Sequence, residues 1–353
     1  MSAPLMAAED LAVVYRRPGQ RTVTAVDGVS LAINRGQTLG LVGESGSGKT
    51  TIGSVMLGLI QPDQGRVLLD GEPAAWRSRA QRAVMARRIQ AVFQDPFGSM
   101  NPVRKIGQTM SEVPRYNLHL KPSAIAERIE RALADVGMAS DVLDRYPAQF
   151  SGGQLQRLAI ARALVVEPEF MVCDEAVSSL DLSVQAQVIN LLASLAVSRG
   201  LAYLFISHDL TVVRHLSHEI AVLYAGQIVE QGPASAVATN PRHPYTKALV
   251  LAAPVPQPAE QRARREARLR LAAPSARGQT GLADQMGQVS LADSRPLASR
   301  TPSSGCRWAP RCRLVRPVCR SERPVLSSRR PGWKVACHFD TEAGLAPDLG
   351  EST

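Results

Sequence analysis

One octapeptide constrains this chain more than any other feature. Gly43-Glu44-Ser45-Gly46-Ser47-Gly48-Lys49-Thr50 follows the short apolar run Leu39 to Val42 and precedes an apolar helical segment. The pattern is Gly-x-x-x-x-Gly-Lys-Thr in a strand-to-helix setting. Its glycines let backbone N–H groups wrap phosphates, and the helix N-terminus adds partial positive charge. Lys49 reaches the β- and γ-phosphates, while Thr50, followed by Thr51, offers a hydroxyl to Mg²⁺. Nucleotide binding follows from this segment alone.

Two further segments fit the same chemistry. Phe170-Met171-Val172-Cys173-Asp174-Glu175 is an apolar run ending in two acids, as a buried strand ending at a metal site would be. Asp174 then holds Mg²⁺ through water and Glu175 orients or deprotonates an attacking water. Between the two lies Ser151-Gly152-Gly153-Gln154, which opens a helix running through Leu164. Ser-Gly-Gly at a helix start is itself an anion site. A chain with a complete phosphate loop has no need of a second phosphate site for the same nucleotide, so this one is expected to serve a partner subunit.

The rest of the chain sets the frame. With 353 residues and 45% apolar content, one large domain plus an appendage is expected. No run of 18 apolar residues is present, and Met1 to Asp10 lacks the basic start of a secretory signal, so a soluble, cytoplasmic chain is expected. Strands are expected at Leu11–Arg16, Val29–Ile33, Leu39–Val42 and Gly65–Gly71. Helices are expected between about 97 and 162, including one capped by Ser123 and ended by Gly137. Strand and helix then alternate through Phe170–Cys173, Val184–Ser198, Tyr203–Ser207 and Ile220–Tyr224, which argues for a parallel sheet covered by helices. Pro254, Pro256 and Pro258 mark the end of this domain; Ala259–Ala272 reads as an isolated helix, 273–300 as a mobile linker and 342–353 as a disordered tail.

The net charge of +10 is concentrated late in the chain: from Pro254 onward there are 17 Lys and Arg against 9 Asp and Glu, and before it 24 against 22. A nearly neutral main domain with 4% aromatic residues argues against a nucleic-acid partner. Cys306, Cys312, Cys319 and Cys337 cluster in the same basic tail. In a cytosolic chain they are expected to bind metal rather than form disulfides, either tetrahedral Zn²⁺ or an iron–sulfur cluster, with no Cys-x-x-Cys spacing to favour zinc.

The order of the Gly43 loop, Gln94, Ser151-Gly152-Gly153-Gln154, Asp174-Glu175, Ser179-Leu180-Asp181 and His208 resembles the ATP-binding subunit of ABC transporters over residues 5–253. Phe150 stands where that family often has Leu, and Ser178 where it often has Ala. The resemblance implies an α/β fold: a P-loop NTPase core of the ABC type with an antiparallel β subdomain and a helical subdomain, here with a small Cys-rich C-terminal extension at 301–341. It implies an active site closed across a head-to-tail dimer. Tyr15 stacks on adenine; Gln94 contacts Mg²⁺ and senses the membrane partner. Ser151, Gly152 and Gly153 cover the γ-phosphate held by the other subunit, Asp181 lies at the seam, and His208 contacts the γ-phosphate.

Gln94-Asp95-Pro96-Phe97-Gly98-Ser99-Met100-Asn101-Pro102 and Asn240-Pro241-Arg242-His243-Pro244-Tyr245-Thr246-Lys247-Ala248-Leu249 narrow the resemblance to oligopeptide and dipeptide importers and their nickel-importing relatives. That subfamily carries a Cys-containing tail, which favours a 4Fe–4S cluster on the four late cysteines. The partners implied are a second ATPase subunit, two transmembrane permease subunits and, indirectly, an extracytoplasmic substrate-binding protein. The place implied is peripheral, on the cytoplasmic face of the inner membrane. A soluble ABC ATPase acting on ribosomes or DNA is the rival class, but this chain has neither a second cassette nor a long coiled-coil insert.

Overall fold

The Leu39 run becomes the middle of the molecule. A computed structural model describes residues 3–16, 22–74, 76, 78–253, 258–271 and 304–339. Its strands are β1 (Met6–Tyr15), β2 (Val23–Ile33), β3 (Thr38–Val42), β4 (Gln64–Leu69), β5 (Glu72–Pro73), β6 (Ile89–Val92), β7 (Phe170–Asp174), β8 (Ala202–Ser207), β9 (Glu219–Tyr224), β10 (Gln227–Pro233), β11 (Ser327–Arg330) and β12 (Trp333–Val335). Its helices are α1 (Lys49–Met56), α2 (Arg79–Arg88), α3 (Ile106–Tyr116), α4 (Pro122–Asp135), α5 (Gly152–Leu164), α6 (Leu182–Arg199), α7 (Leu210–Leu216), α8 (Ala234–Thr239), α9 (Pro244–Ala252), α10 (Pro258–Leu271) and α11 (Pro317–Ser321).

The strands form two sheets. One is antiparallel, in the order β2-β1-β4-β5; the other has eight strands in the order β11-β12-β10-β9-β3-β8-β7-β6. From β9 to β6 the large sheet is parallel. Every residue of β3, β7 and β8 is buried, as in a sheet covered on both faces. The side chains alternate between two cores. Leu39, Leu41, Phe170, Val172, Leu204 and Ile206 join the antiparallel sheet and α1, while Met171, Cys173, Tyr203 and Phe205 join the helical side. An ionic network ties the sheets at the amino ends of the strands. Arg35 bonds Asp70 and Glu169 at 2.5 Å each, and Arg88 bonds the same two carboxylates.

Two sequence expectations change. Helix α4 begins at Pro122, with Lys121 at the N-cap position and no side-chain cap, so Ser123 sits inside the first turn; proline at the first helical position presets φ and gives up an N–H that had no partner there. The large sheet is not parallel throughout, because β10 pairs antiparallel with β9 and takes β12 on its other edge. The helix expected at Ala259–Ala272 is present as α10, with an Arg264–Glu260 ion pair one turn apart at 2.8 Å. The linker expected at 273–300 and the tail expected at 342–353 lie outside the described residues.

The Cys-rich extension is not free-standing either. Its β12 continues the main sheet, and Trp308 and Trp333, 5% and 6% exposed, belong to the helical-side core. Trp308 lies against Tyr224 and Tyr245 at ring-centroid distances of 5.0 and 5.1 Å. The extension has too little apolar surface to fold on its own, but it can order itself by burying two indoles in a core that already exists.

Candidate functional site

Strands β3, β8 and β7 are neighbours in register, Val42 beside Ser207 and Ile206 beside Asp174, so their carboxyl ends are level. The Gly43 loop leaves the end of β3 and enters α1 at Lys49. Gly48 makes that turn at φ 108°, and a Cβ there would lie 2.3 Å from the carbonyl oxygen of Ala25, so only glycine fits. Lys49 is 5% exposed, and its ammonium donates to the carbonyls of Gly43 (2.8 Å) and Glu44 (3.0 Å). Burial pushes its pKa down against the pull of the Glu175, Asp174 and Glu44 carboxylates. A desolvated ammonium held by two carbonyls is poised to exchange them for phosphate oxygens.

The acids expected beside the loop are there. The Thr50 hydroxyl and the Asp174 carboxylate face each other at 3.4 Å. Burial pushes the Asp174 carboxyl up, with the bond from Thr50 opposing it. Two oxygen ligands of this kind fit Mg²⁺, which keeps several waters and shares phosphate oxygens. Glu175 follows in a left-handed backbone conformation, φ 49°, its N–H donating to the Ile206 carbonyl at 3.0 Å. That conformation is costly for a non-glycine residue and is held here by the adjacent strand. His208, just past β8, sets Nδ1 3.4 Å from the Glu175 carboxylate. Tyr15 and Thr51 bring their hydroxyls to 3.4 Å, and Tyr15 is exposed. Gln94 is exposed in the turn after β6, and its carbonyl accepts from the Ser179 hydroxyl at 3.1 Å.

Ser151, Gly152, Gly153, Gln154 and Asp181 form a second cluster. Ser151 and Gln154 make a reciprocal cap at the start of α5, the Ser151 N–H donating to the Gln154 side chain at 3.0 Å and the Gln154 N–H to the Ser151 hydroxyl at 3.4 Å. Asp181 caps α6 by accepting from the N–H groups of Ser183 (3.1 Å) and Val184 (3.0 Å). Val184 packs so close to Gly153 that a Cβ there would meet it at 2.4 Å. The polar bonds of this cluster are spent on its own helix starts, and Ser151, Gln154 and Asp181 are exposed. The chain thus carries a phosphate loop with its acids, and separately an exposed pair of capped helix ends.

The Asn240–Leu249 segment, quoted above as a family motif, forms a turn and α9 that reach the Gly43 loop. Glu230 is fully buried, and its carboxylate accepts from the N–H groups of Arg242 and His243, both at 2.9 Å, and from the Trp333 indole at 3.0 Å. This anchors α9 so that the Tyr245 hydroxyl accepts from the Glu44 N–H at 2.9 Å. Tyr245 is a loop-supporting residue that the sequence did not mark.

The four late cysteines gather without converging. Cys306 N–H donates to the Cys319 carbonyl at 2.8 Å. Burial pushes the Cys312 thiol up to about 11, and negative charge on Cys306, Cys337 and Cys319 acts in the same direction. Among the described residues no group of three or more His, Cys, Asp or Glu is arranged to hold a metal ion. The donor set for a 4Fe–4S cluster or zinc is therefore not supported by this arrangement. Indole packing and β12 order this segment without a metal.

Comparison with known proteins bears on both halves of the chain. The family model described as ABC transporter matches residues 26–178, and that described as oligopeptide/dipeptide transporter, C-terminal region, matches 229–281 and 282–319. A probable peptide ABC transporter ATP-binding protein of Sinorhizobium fredii is 43% identical over 324 residues, 92% of this chain and 85% of the relative. A putative oligopeptide transport ATP-binding protein of Bacillus subtilis is 40% identical over 336 residues, 95% of each chain. The oligopeptide transport ATP-binding protein OppF of Haemophilus influenzae is 42% identical over 254 residues, 72% of this chain and 76% of the relative. Among solved structures, a Clostridium perfringens protein that is part of an ABC transporter complex superposes with TM-score 0.60 at 27% identity, covering 67% of this chain and 92% of that one. A dimeric ATP-binding cassette bound to ADP and Pi superposes with TM-score 0.59 at 24% identity, over 65% and 98% of the two chains, and is similar in fold.

Proposed function

The chain belongs to the ATP-binding proteins of ABC transporters, and on that premise we propose that it is the ATP-hydrolysing subunit of a peptide importer, working as one of two such subunits beneath membrane-spanning permeases. The single observation that carries the reading is the meeting, at the level ends of three adjacent strands, of Lys49 and Thr50 with Asp174, Glu175 and His208.

In this reading residues Gly43 to Thr51 cradle the phosphates, with Lys49 exchanging its two carbonyl partners for β- and γ-oxygens. Thr50, Asp174 and Gln94 hold Mg²⁺, which supplies positive charge that steadies the phosphate oxygens. Glu175 orients the attacking water and takes its proton; His208, beside it, gives the γ-phosphate a polar contact. Tyr15 lies against the adenine. Ser151, Gly152, Gly153, Gln154 and Asp181 act on the nucleotide of a second subunit, which is consistent with their exposed position and local bonding. Binding ATP draws two subunits together and hydrolysis releases them.

The turn at Gln94 and the helical region from α3 to α5 pass that motion to the permeases. The subunit is peripheral, at the cytoplasmic face of the inner membrane; among the described residues no helix is long and apolar enough to cross a membrane. Peptide cargo is supported by the names its relatives carry and by the C-terminal match, and such cargo reaches the permeases from an extracytoplasmic binding protein. No step runs through Cys306, Cys312, Cys319 or Cys337, and no nucleic acid takes part.

Mixing two inactive variants tests the shared site. Lys49→Ala and Ser151→Arg proteins each lack an intact site alone, whereas a heterodimer of the two has one intact site and one doubly damaged site. Mixed proteins, with the native partner subunit present where there is one, should regain measurable ATPase. No regain in a mixture shown to contain the heterodimer contradicts a site built from two subunits.

A further inference from the structure

The phosphate loop has a second attachment that its motif does not require. Glu44, the loop residue after Gly43, keeps its side chain largely buried and turns its carboxylate to Arg311, whose guanidinium lies 3.3 and 3.4 Å from the two oxygens. Arg311 sits 267 residues away in the chain, beside Cys312. It is held in place from beneath, its guanidinium stacking over the Trp308 ring at 4.6 Å and also bonding the Tyr224 hydroxyl. Trp308 rests on the same Tyr245 whose hydroxyl accepts from the Glu44 N–H. Both the backbone and the side chain of Glu44 are thus gripped by residues that stack on one another. A third contact lies alongside. Arg307 bonds the Asp27 carboxylate and the Ala225 carbonyl, and the next residue, Gly226, donates its N–H to the Ser47 carbonyl in the loop at 2.8 Å.

Glu44 presents a problem that Arg311 answers. A carboxylate in a loop that receives phosphates repels them, and its field already reaches the Lys49 ammonium. Pairing with Arg311 neutralises that charge and fixes the side chain. We propose that Arg311 is a positioning residue for nucleotide binding, acting through Glu44, so that the C-terminal segment 304–339 forms part of the ATP site's support. The proposal rests on the reading that the Gly43 loop holds the phosphates. It gives the extension a function that needs no metal: its folding state is read at the loop as affinity for ATP.

Calorimetric titration of the full chain with MgATP, together with steady-state ATPase, tests this. Arg311→Ala should weaken MgATP binding about tenfold and raise KM by a similar factor, with kcat changed less than about twofold. Arg311→Lys should recover most of the affinity, since it restores the charge. In a Glu44→Gln background, Arg311→Ala should cost nothing further, because the charge it neutralises is gone. Arg320→Ala, an exposed cation of the same segment, should bind as the parent does.

If Arg311→Ala loses its fold, Arg311→Gln, which keeps the stem on Trp308, takes its place. Parent-like affinity in the Arg311 variant, or additive losses with Glu44→Gln, overturns the proposal. Lys49→Ala in the same titration separates the two levels. If it abolishes binding while Arg311 variants bind normally, the inference alone fails; if it binds normally, the phosphate-loop reading fails first.

Discussion

The two ends of the large sheet are built in opposite ways. From β9 to β6 the strands are parallel and short, β3, β8 and β7 are buried on both faces, and Lys49, Thr50, Asp174, Glu175 and His208 lie beyond their carboxyl ends. From β10 to β11 they are antiparallel, partly polar and drawn from segments about a hundred residues apart. There the holding contacts are side-chain bonds: Glu230 to the Arg242 and His243 N–H groups and the Trp333 indole, Trp308 on Tyr224 and Tyr245, Arg311 on Glu44. On the proposed reading, the parallel end presents the reacting groups and the antiparallel end supports the loop that receives ATP, so that one sheet divides catalysis from support.

The largest effect expected from breaking this division is on stability. Trp308 is nearly buried among two tyrosines and an arginine, so Trp308→Ala should cost about 3–5 kcal/mol in chemical denaturation. A loss under about 1 kcal/mol would mean that the extension is appended rather than built into the core. The same variant should make residues 304–339 protease-sensitive while the parallel end stays folded at low denaturant.

A smaller effect is expected at the ionic tie across the amino ends of the parallel strands. The hydrogen bond from Arg88, with Arg35 assisting, holds the Glu169 carboxyl at about 2, below its ordinary 4.5. A folded-state value lowered in this way contributes stability that is present above the ordinary value and lost as pH falls toward the folded one. The tie is a third exposed, so its worth is under about 1 kcal/mol. Glu169→Gln should be slightly less stable than the parent from neutral pH down to about pH 5, and the gap should close as pH approaches 2. A gap independent of pH would remove the ion pairing from the explanation.

The same contrast explains what the sequence disclosed. Lys49, Thr50, Asp174 and Glu175 were legible because each follows or ends an apolar strand run, so local pattern sets its place, whereas His208 was named only through the family resemblance. The helix start at Ser151 was legible for a similar reason, since a cap is a matter of three or four residues, but the cap at Asp181 was not read. Tyr245 and Arg311 were not, because what defines them is a contact with Glu44 across 201 and 267 positions. Strand β10 escaped notice because Glu230, Gln231 and Gly232 interrupt its apolar run, although Glu230 is fully buried and its polarity is satisfied by three donors. The four late cysteines suggested a metal site in the extension. The indoles at Trp308 and Trp333 were visible, but not the core that receives them.

Glu175 is proposed to activate water at an ATP site made by two subunits, and its amide variant probes both parts of that proposal. Glu175→Gln keeps the size of the side chain and the neighbourhood of His208 and removes the base. With MgATP it should bind nucleotide as the parent does, lose hydrolysis by about a hundredfold or more, and elute from size exclusion as a stable two-subunit assembly. A Glu175→Gln protein that turns over ATP at close to the parent rate and stays monomeric would contradict it.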